Sequence, residues 1–235
     1  MQPHQSDQTP RYDILVSGSS LAMEGSFLGI STIVMVESAG RRALFDCGHF
    51  TTRRLLLAAL AQRGLTPADF EMVILSHAHF DHCLNIDLFP QAQVILSQDE
   101  WDYIQGPFPD DPATPPYVAD ILRKTRLELI EGEVELLPGV TAFPTPGHSP
   151  GHMSLDLRTA EGPVILAADA LKTAREALSG IPDMEIDPLK RAGASLRKVL
   201  DRGRFIVPGH FPPLTRHDDG RITWDEIQKA TLLLR

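Results

Sequence analysis

Two cysteines, Cys47 and Cys83, are all the thiols in 235 residues. Two thiols so far apart supply no disulfide framework, so the chain is expected to fold without bridges in a reducing compartment. No apolar run approaches the ~18 residues of a membrane-spanning helix. The segment Met1 to Pro10 is polar and lacks the apolar stretch of a secretory signal, and it reads as a mobile tail. A soluble, cytoplasmic protein without membrane contact is expected. Basic side chains are also scarce: 22 Lys and Arg against 31 Asp and Glu leave a net charge of -9. Non-specific nucleic-acid binding depends on neutralising phosphates, so this balance argues against such a partner. No Gly-x-Ser-x-Gly string offers a serine nucleophile. No internal repeat or clean linker breaks the chain, and residues 11–235 are expected to form a single domain.

A hydrophobic fraction of 43% is ample for a core. Strand-like runs occur at Tyr12–Val16, Ile30–Glu37, Arg42–Cys47, Met72–Leu75, Gln93–Leu96, Leu127–Ile130, Val134–Leu137, Val140–Phe143, Met153–Leu157, Val164–Ala167 and Phe205–Val207. Helical patterns occupy Thr52–Arg63, Gln98–Ile104, Tyr117–Lys124 and Trp224–Leu234. Another helix is expected from Asp187-Pro188 to about Leu200, with Asp as cap and Pro at the first position. Gly106 to Pro116 holds five prolines and reads as a surface loop. Strands and helices alternating in this way imply an α/β fold with sheets inside and helices outside.

Residues 77 to 82 read His-Ala-His-Phe-Asp-His. Four strong metal-ligand side chains in six residues, placed after the apolar run Met72–Leu75, are the densest chemistry in the chain. If the backbone stays extended, His77, His79 and Asp81 point one way and His82 points elsewhere unless the chain turns. Imidazole and carboxylate suit zinc and neighbouring first-row ions. Further candidate ligands, His148, Asp169 and His210, each follow the end of another apolar strand, where loops carry function on a rigid platform.

In this order, Phe45-Asp46-Cys47-Gly48, His77-x-His79-x-Asp81-His82, Pro146-Gly147-His148, Asp169 and Pro208-Gly209-His210 resemble the metallo-β-lactamase superfamily, over residues from about 14 to 215. The resemblance implies a four-layer αβ/βα sandwich with metals at one edge of two sheets. It implies two divalent ions, zinc first with Mn2+ or Fe2+ as alternatives. One would bind His77, His79 and His148, the other Asp81, His82 and His210, with Asp169 bridging. It implies hydrolysis of a small-molecule acyl substrate by a metal-bridging hydroxide, with Asp81 and Asp169 as the catalytic carboxylates. Asp46 is expected to hydrogen-bond a ligand histidine or the nearby backbone.

Among the branches, exported β-lactamases lack an acid at the place of Asp169, flavodiiron proteins carry Glu in place of His79, and nucleases add domains or arms. The segment from Leu129 to Leu155 resembles the N-acyl-homoserine lactonases. Those enzymes carry a Tyr three residues after the bridging acid, where this chain has Lys172; a lysine there suits a substrate carbonyl or carboxylate, or equally a solvated position at a helix start. A lactone, ester or thioester is the expected substrate. A glyoxalase II-like thioesterase and a mononuclear-iron persulfide dioxygenase are the alternatives. Phe27 and Phe211, with Met23, Leu28 and Phe50, are candidate walls of an acyl pocket. Phe108 is a candidate lid or loop anchor. His49 and His152 are read as non-ligands, His4 and His217 as solvated, Cys47 and Cys83 as buried or close to the ligands, and Arg191 to Arg204 as a solvated face. The apolar C-terminus suits packing on the body or on a second copy, as monomer or homodimer.

Overall fold

Alternate residues of the central strands face two different cores. In the strand Ile33–Ser38, Val34 and Val36 join one apolar cluster while Ile33 and Met35 join another. In Met72–Ile74 the middle Val73 parts from its neighbours in the same way. Side chains of a strand alternate with period two, so a strand apolar on both faces belongs to a sheet covered on both. That is why these runs read as continuous apolar stretches.

The computed structural model describes residues 9–225. The chain runs β1 (Arg11–Val16), β2 (Ala22–Met23), β3 (Ser26–Phe27), β4 (Ile33–Ser38), β5 (Arg41–Phe45), α1 (Arg53–Gln62), β6 (Met72–Ile74), α2 (Phe80–Cys83), β7 (Gln93–Ser97), α3 (Gln98–Ile104) and α4 (Val118–Leu122). It continues through β8 (Arg126–Ile130), β9 (Val134–Leu137), β10 (Val140–Pro144), β11 (Met153–Thr159), β12 (Gly162–Ala168), α5 (Ala174–Ser179), α6 (Ala192–Arg202), β13 (Phe205–Pro208), β14 (Leu214–Arg216) and β15 (Ile222–Thr223). One sheet has the order β1-β4-β5-β6-β7-β8 and the other β15-β14-β13-β12-β11-β10-β9.

The cluster shared by Phe45, Ile74, Ile95, Leu155, Leu166 and Val207 fills the space between the sheets. Leu56 and Leu60 of α1, Ile104 of α3 and Leu122 of α4 cover the outer face of the first sheet. Ala174 and Ala177 of α5 and Leu196 and Val199 of α6 cover the second. The layers are therefore helix, sheet, sheet, helix, as expected.

Local signals placed most elements well. Helix α1 ends where Gly64 adopts a φ of 69°, its N–H bonding to Ala61 and that of Leu65 to Leu60. Three expectations need correction. The helix anticipated from Asp187 begins only at Ala192. Asp187 instead accepts from Leu189 N and from Arg191, and Lys190 takes a left-handed φ of 54° that no helix continues through. The first N–H of α6 is satisfied by Glu185. Second, the face from Arg191 to Arg204 is not simply solvated, because Lys198 and Arg202 lie over the Phe143 ring at 5.1 and 4.3 Å. Third, His217 is not free in solvent but bonds the Thr223 hydroxyl at 2.8 Å. The tail Met1 to Pro10 falls, up to residue 8, outside the described residues, as does most of the helix expected at Trp224–Leu234.

Candidate metal centre

The string after β6 does not stay extended. β6 stops at Ile74, and the backbone turns into α2, which starts at Phe80 with His79 at its cap. That turn is what brings the His82 ring back to the His77 ring. The rings of His77 and His82 lie 4.2 Å apart and those of His77 and His79 4.4 Å. His148, beyond β10, and Asp169 and His210, at the ends of β12 and β13, come from the second sheet. All the site residues expected from the sequence as ligands are buried, none more than 5% exposed.

Three groups of side chains bring their ligand atoms within 4.8 Å of one another: His77, His79 and His148; Asp81, His82 and His210; and His77, His82 and Asp169. The first two are the sets the sequence resemblance implied. Asp169 touches both: Oδ2 lies 3.2 Å from His148 Nε2 and 3.3 Å from His210 Nε2, and Oδ1 lies 3.3 Å from His82 Nε2.

Hydrogen bonds at the back of each ring decide which nitrogen faces inward. The Ser76 hydroxyl donates to Asp46 at 2.8 Å, so it accepts from His77 Nδ1 at 2.9 Å. His82 Nδ1 donates to Asp46 at 2.7 Å, and His210 Nδ1 to the Ile30 carbonyl at 3.0 Å. His79 uses Nε2 against Asp111, at 3.3 Å. In His77, His79, His82 and His210 the outer nitrogen thus has an acceptor for its proton and the inner one faces the centre, the orientation a metal-ligating imidazole requires, while His148 turns Nε2 inward to lie 3.0 Å from His79 Nδ1. His77 Nε2, His82 Nε2, His148 Nδ1 and Asp169 Oδ1 have no hydrogen-bond partner among the described residues. Buried polar atoms seldom go unpaired unless an ion or water belongs there. His152 is the contrast: Nε2 accepts from Asp169 N at 3.1 Å and Nδ1 lies 2.8 Å from the Thr145 hydroxyl, so neither nitrogen is available.

The electrostatics agree. Burial pulls His77 and His148 well below the ordinary imidazole value, and His152 down to about 3. Burial acts the same way on His82, but Asp81, Asp169 and Asp46 outweigh it and raise it well above. Burial favours a protonated Asp169, yet His210, His82 and His148 hold it well below the carboxylate range. A pocket lined by these acids needs positive charge, as a proton on an imidazole or as a cation. The donor set, imidazole and carboxylate, fits divalent first-row ions.

Backbone strain and close approach mark the same place. Asp46 and Ala168 hold left-handed φ values of 57° and 44°. At Gly209 a Cβ would lie 2.0 Å from Asp169 Oδ1, so only glycine leaves room for that carboxylate. Thr32 fastens β13 to the first sheet through the carbonyls of Pro208 and Gly209, at 2.7 and 2.9 Å, and Ser31 bonds the Asp81 carbonyl at 2.5 Å.

The remaining candidates separate. Phe27, on the exposed β2–β3 hairpin, stands edge-on to His210 with ring centres 5.7 Å apart. Phe211 lies against Trp224 and the cluster under α5 and α6. Lys172 is held by its backbone, its N–H on Glu176 and its carbonyl on His210 N. Phe108 packs on Tyr103 at 5.4 Å, and Cys47 and Cys83 are buried thiols. Nothing in the sequence marks Asp111 and Glu100 as parts of this site. An aspartate in a proline-rich loop reads as surface, and a glutamate in the first turn of a helix reads as a partner for the helix dipole.

The profile of the metallo-beta-lactamase superfamily matches residues 27–224. The chain is 30% identical to metallo-beta-lactamase domain-containing protein 1 of Xenopus laevis, over 91% of this chain and 84% of that protein. It is 34% identical to an N-acyl homoserine lactonase of a Bacillus species, over 63% of this chain and 58% of the lactonase. Among solved structures it superposes on the dizinc quorum-quenching lactonase AidC with a TM-score of 0.66 at 20% identity, covering 87% of this chain and 82% of that one.

Proposed function

This chain belongs to the metallo-beta-lactamase superfamily, and from that premise we propose that it hydrolyses a lactone, ester or thioester as a two-metal enzyme. The observation that carries this reading is the convergence of the buried side chains of His77, His79, His82, His148 and His210 with Asp81 and Asp169 into groups of ligand atoms within 4.8 Å, with His77 Nε2, His82 Nε2 and Asp169 Oδ1 left without a hydrogen-bond partner. His77, His79 and His148 would hold one divalent ion and Asp81, His82 and His210 the other, with Asp169 shared; zinc is the first choice, manganese or iron the alternatives. Bound there, such ions polarise a carbonyl and make water acidic enough to ionise near neutral pH.

The protein's own groups do the rest. Asp169 Oδ1 and Asp81 Oδ2 face the same space as the inward nitrogens, and either oxygen can take a proton and return it to the departing oxygen or sulfur. Asp46, Asp111 and the Ile30 carbonyl keep the imidazoles in one tautomer and orientation, so no reorganisation is needed during the reaction. Phe27 offers an apolar wall beside His210 for an acyl chain, whereas Phe211 turns toward the helix layer. Lys172 supplies a cation for a substrate carbonyl or carboxylate.

A screen of lactones, aryl esters and glutathione thioesters with zinc-, manganese- and iron-loaded protein tests the reading. Hydrolysis with close to two ions per chain is expected, and His77→Ala and Asp169→Ala are expected to abolish it. One iron per chain with oxygen uptake and no hydrolysis would overturn it in favour of a sulfur dioxygenase.

A further inference from the structure

Three histidines of the first group come from two sheets. His77 and His79 follow β6 of the first sheet; His148 follows β10 of the second. Apolar packing between sheets is non-directional, so by itself it leaves the spacing of those loops loosely determined. Ligation needs them held to a fraction of an ångström.

One side chain spans the gap. Glu100, in the first turn of α3, is fully buried. Its Oε1 accepts from Ala78 N at 2.9 Å, the amide between His77 and His79. Its Oε2 accepts from the Ser149 hydroxyl at 2.7 Å and from Gly151 N at 3.0 Å, in the loop that carries His148. The start of α3 is pressed onto that loop: the Ser97 hydroxyl donates to the Gly151 carbonyl at 2.5 Å, and a Cβ at Gly151 would lie 1.9 Å from Glu100 N. Burial raises the Glu100 carboxyl above its ordinary value, and its three donors and His79 offset this only in part. A backbone N–H, which can only donate, meets each oxygen, so both oxygens of Glu100 act as acceptors.

We propose that Glu100 is a positioning residue for the first metal position, setting the distance between the loop of His77 and His79 and the loop of His148. The proposal rests on the reading that these histidines hold metal. The second position has its own stitches, Ser31 on the Asp81 carbonyl, Thr32 on Pro208 and Gly209, and Ile30 on His210. Glu100 reaches none of them, so its loss is selective.

The test uses full-length protein loaded with zinc, titrated with a competing chelator and assayed for metal per chain. In Glu100→Gln an NH2 group meets an N–H or O–H donor, so at least one loop is released. Its first ion is expected to bind about 10- to 100-fold more weakly, while the second keeps its affinity. Ser149→Ala, which removes one donor and leaves the carboxylate, is expected to move the same ion by less. Ile104→Ala is the control on the same helix: it lowers the melting temperature through a core cavity and leaves both affinities unchanged. Hydrogen exchange at the Ala78 and Gly151 amides is expected to quicken in E100Q without metal as well as with it. Should E100Q bind both ions with wild-type affinities, or weaken both ions equally, the proposal is overturned while the hydrolase reading stands. A wild-type chain that binds no zinc overturns the reading, and the proposal with it.

Discussion

Asp46 shows how much one carboxylate decides. In a left-handed backbone conformation it holds Ser76 N, the Ser76 hydroxyl and His82 Nδ1 together. Asp46→Ala leaves these buried donors unpaired, at about 1–3 kcal/mol for each. Asp46→Asn keeps the volume but presents NH2 to a donor, and metal affinity is expected to fall about 10- to 100-fold with a smaller loss of stability. Chelator competition beside thermal melts separates the two effects, and an unchanged zinc affinity in Asp46→Asn would refute the role of the bond. Gly209→Ala tests the opposite kind of constraint. Its Cβ would overlap Asp169 Oδ1 at 2.0 Å, so the carboxylate has to move. A shift near 1 Å at a reacting group costs about 100-fold, and kcat/KM is expected to drop by that much in a chain whose circular dichroism is native. Of these residues, the histidines and Asp169 were legible by type and spacing. Asp111 was not, because proline marks a loop without saying which of its acids turns inward.

Among the elements, strands were the most legible, since β-branched and apolar runs between turn residues have few other uses. Helix starts were harder. Asp187-Pro188 carries the signature of a cap, but the carboxylate closes a turn on Leu189 and Arg191 before α6 begins. Asp187 is buried, and the bond to Arg191 holds its carboxyl below the ordinary range against the cost of burial. A depressed folded value means the stabilisation is complete above the unfolded carboxylate value and fades as pH falls through the folded one. Asp187→Asn is therefore expected to cost about 1–2 kcal/mol at pH 7, with Arg191 partly in solvent. Urea denaturation at pH 7 and at stepwise lower pH should show that difference shrinking; a constant difference would mean that the ion pair contributes nothing. The short helix α2 is the element that mattered most and announced itself least. Four residues make no periodic pattern, yet this turn is what brings the His82 ring to within 4.2 Å of the His77 ring.

For the whole molecule, the candidate metals would sit where the two sheets meet, ligated from both. Their removal should then loosen the fold as well as the chemistry. At ligand about 100 times its dissociation constant, one site adds about 2.7 kcal/mol, or about 5–10 °C in melting temperature for a chain of this size. Calorimetry of chelated and zinc-reloaded protein checks this, and coincident melts would argue that the site is not ligated across the sheets. The sequence by itself determined the layered α/β architecture, through strands apolar on both faces, and the candidate ligands, through His and Asp at strand ends in an order that resembles the metallo-β-lactamase superfamily. Both are properties of neighbours along the chain. Only the tertiary structure decided which ring nitrogen of each histidine points inward, that Asp169 touches both groups, and that Glu100 ties the two loops together. Those depend on hydrogen bonds between residues tens of positions apart, and a hydrogen bond is directional over a few ångströms in space with no periodic trace in sequence.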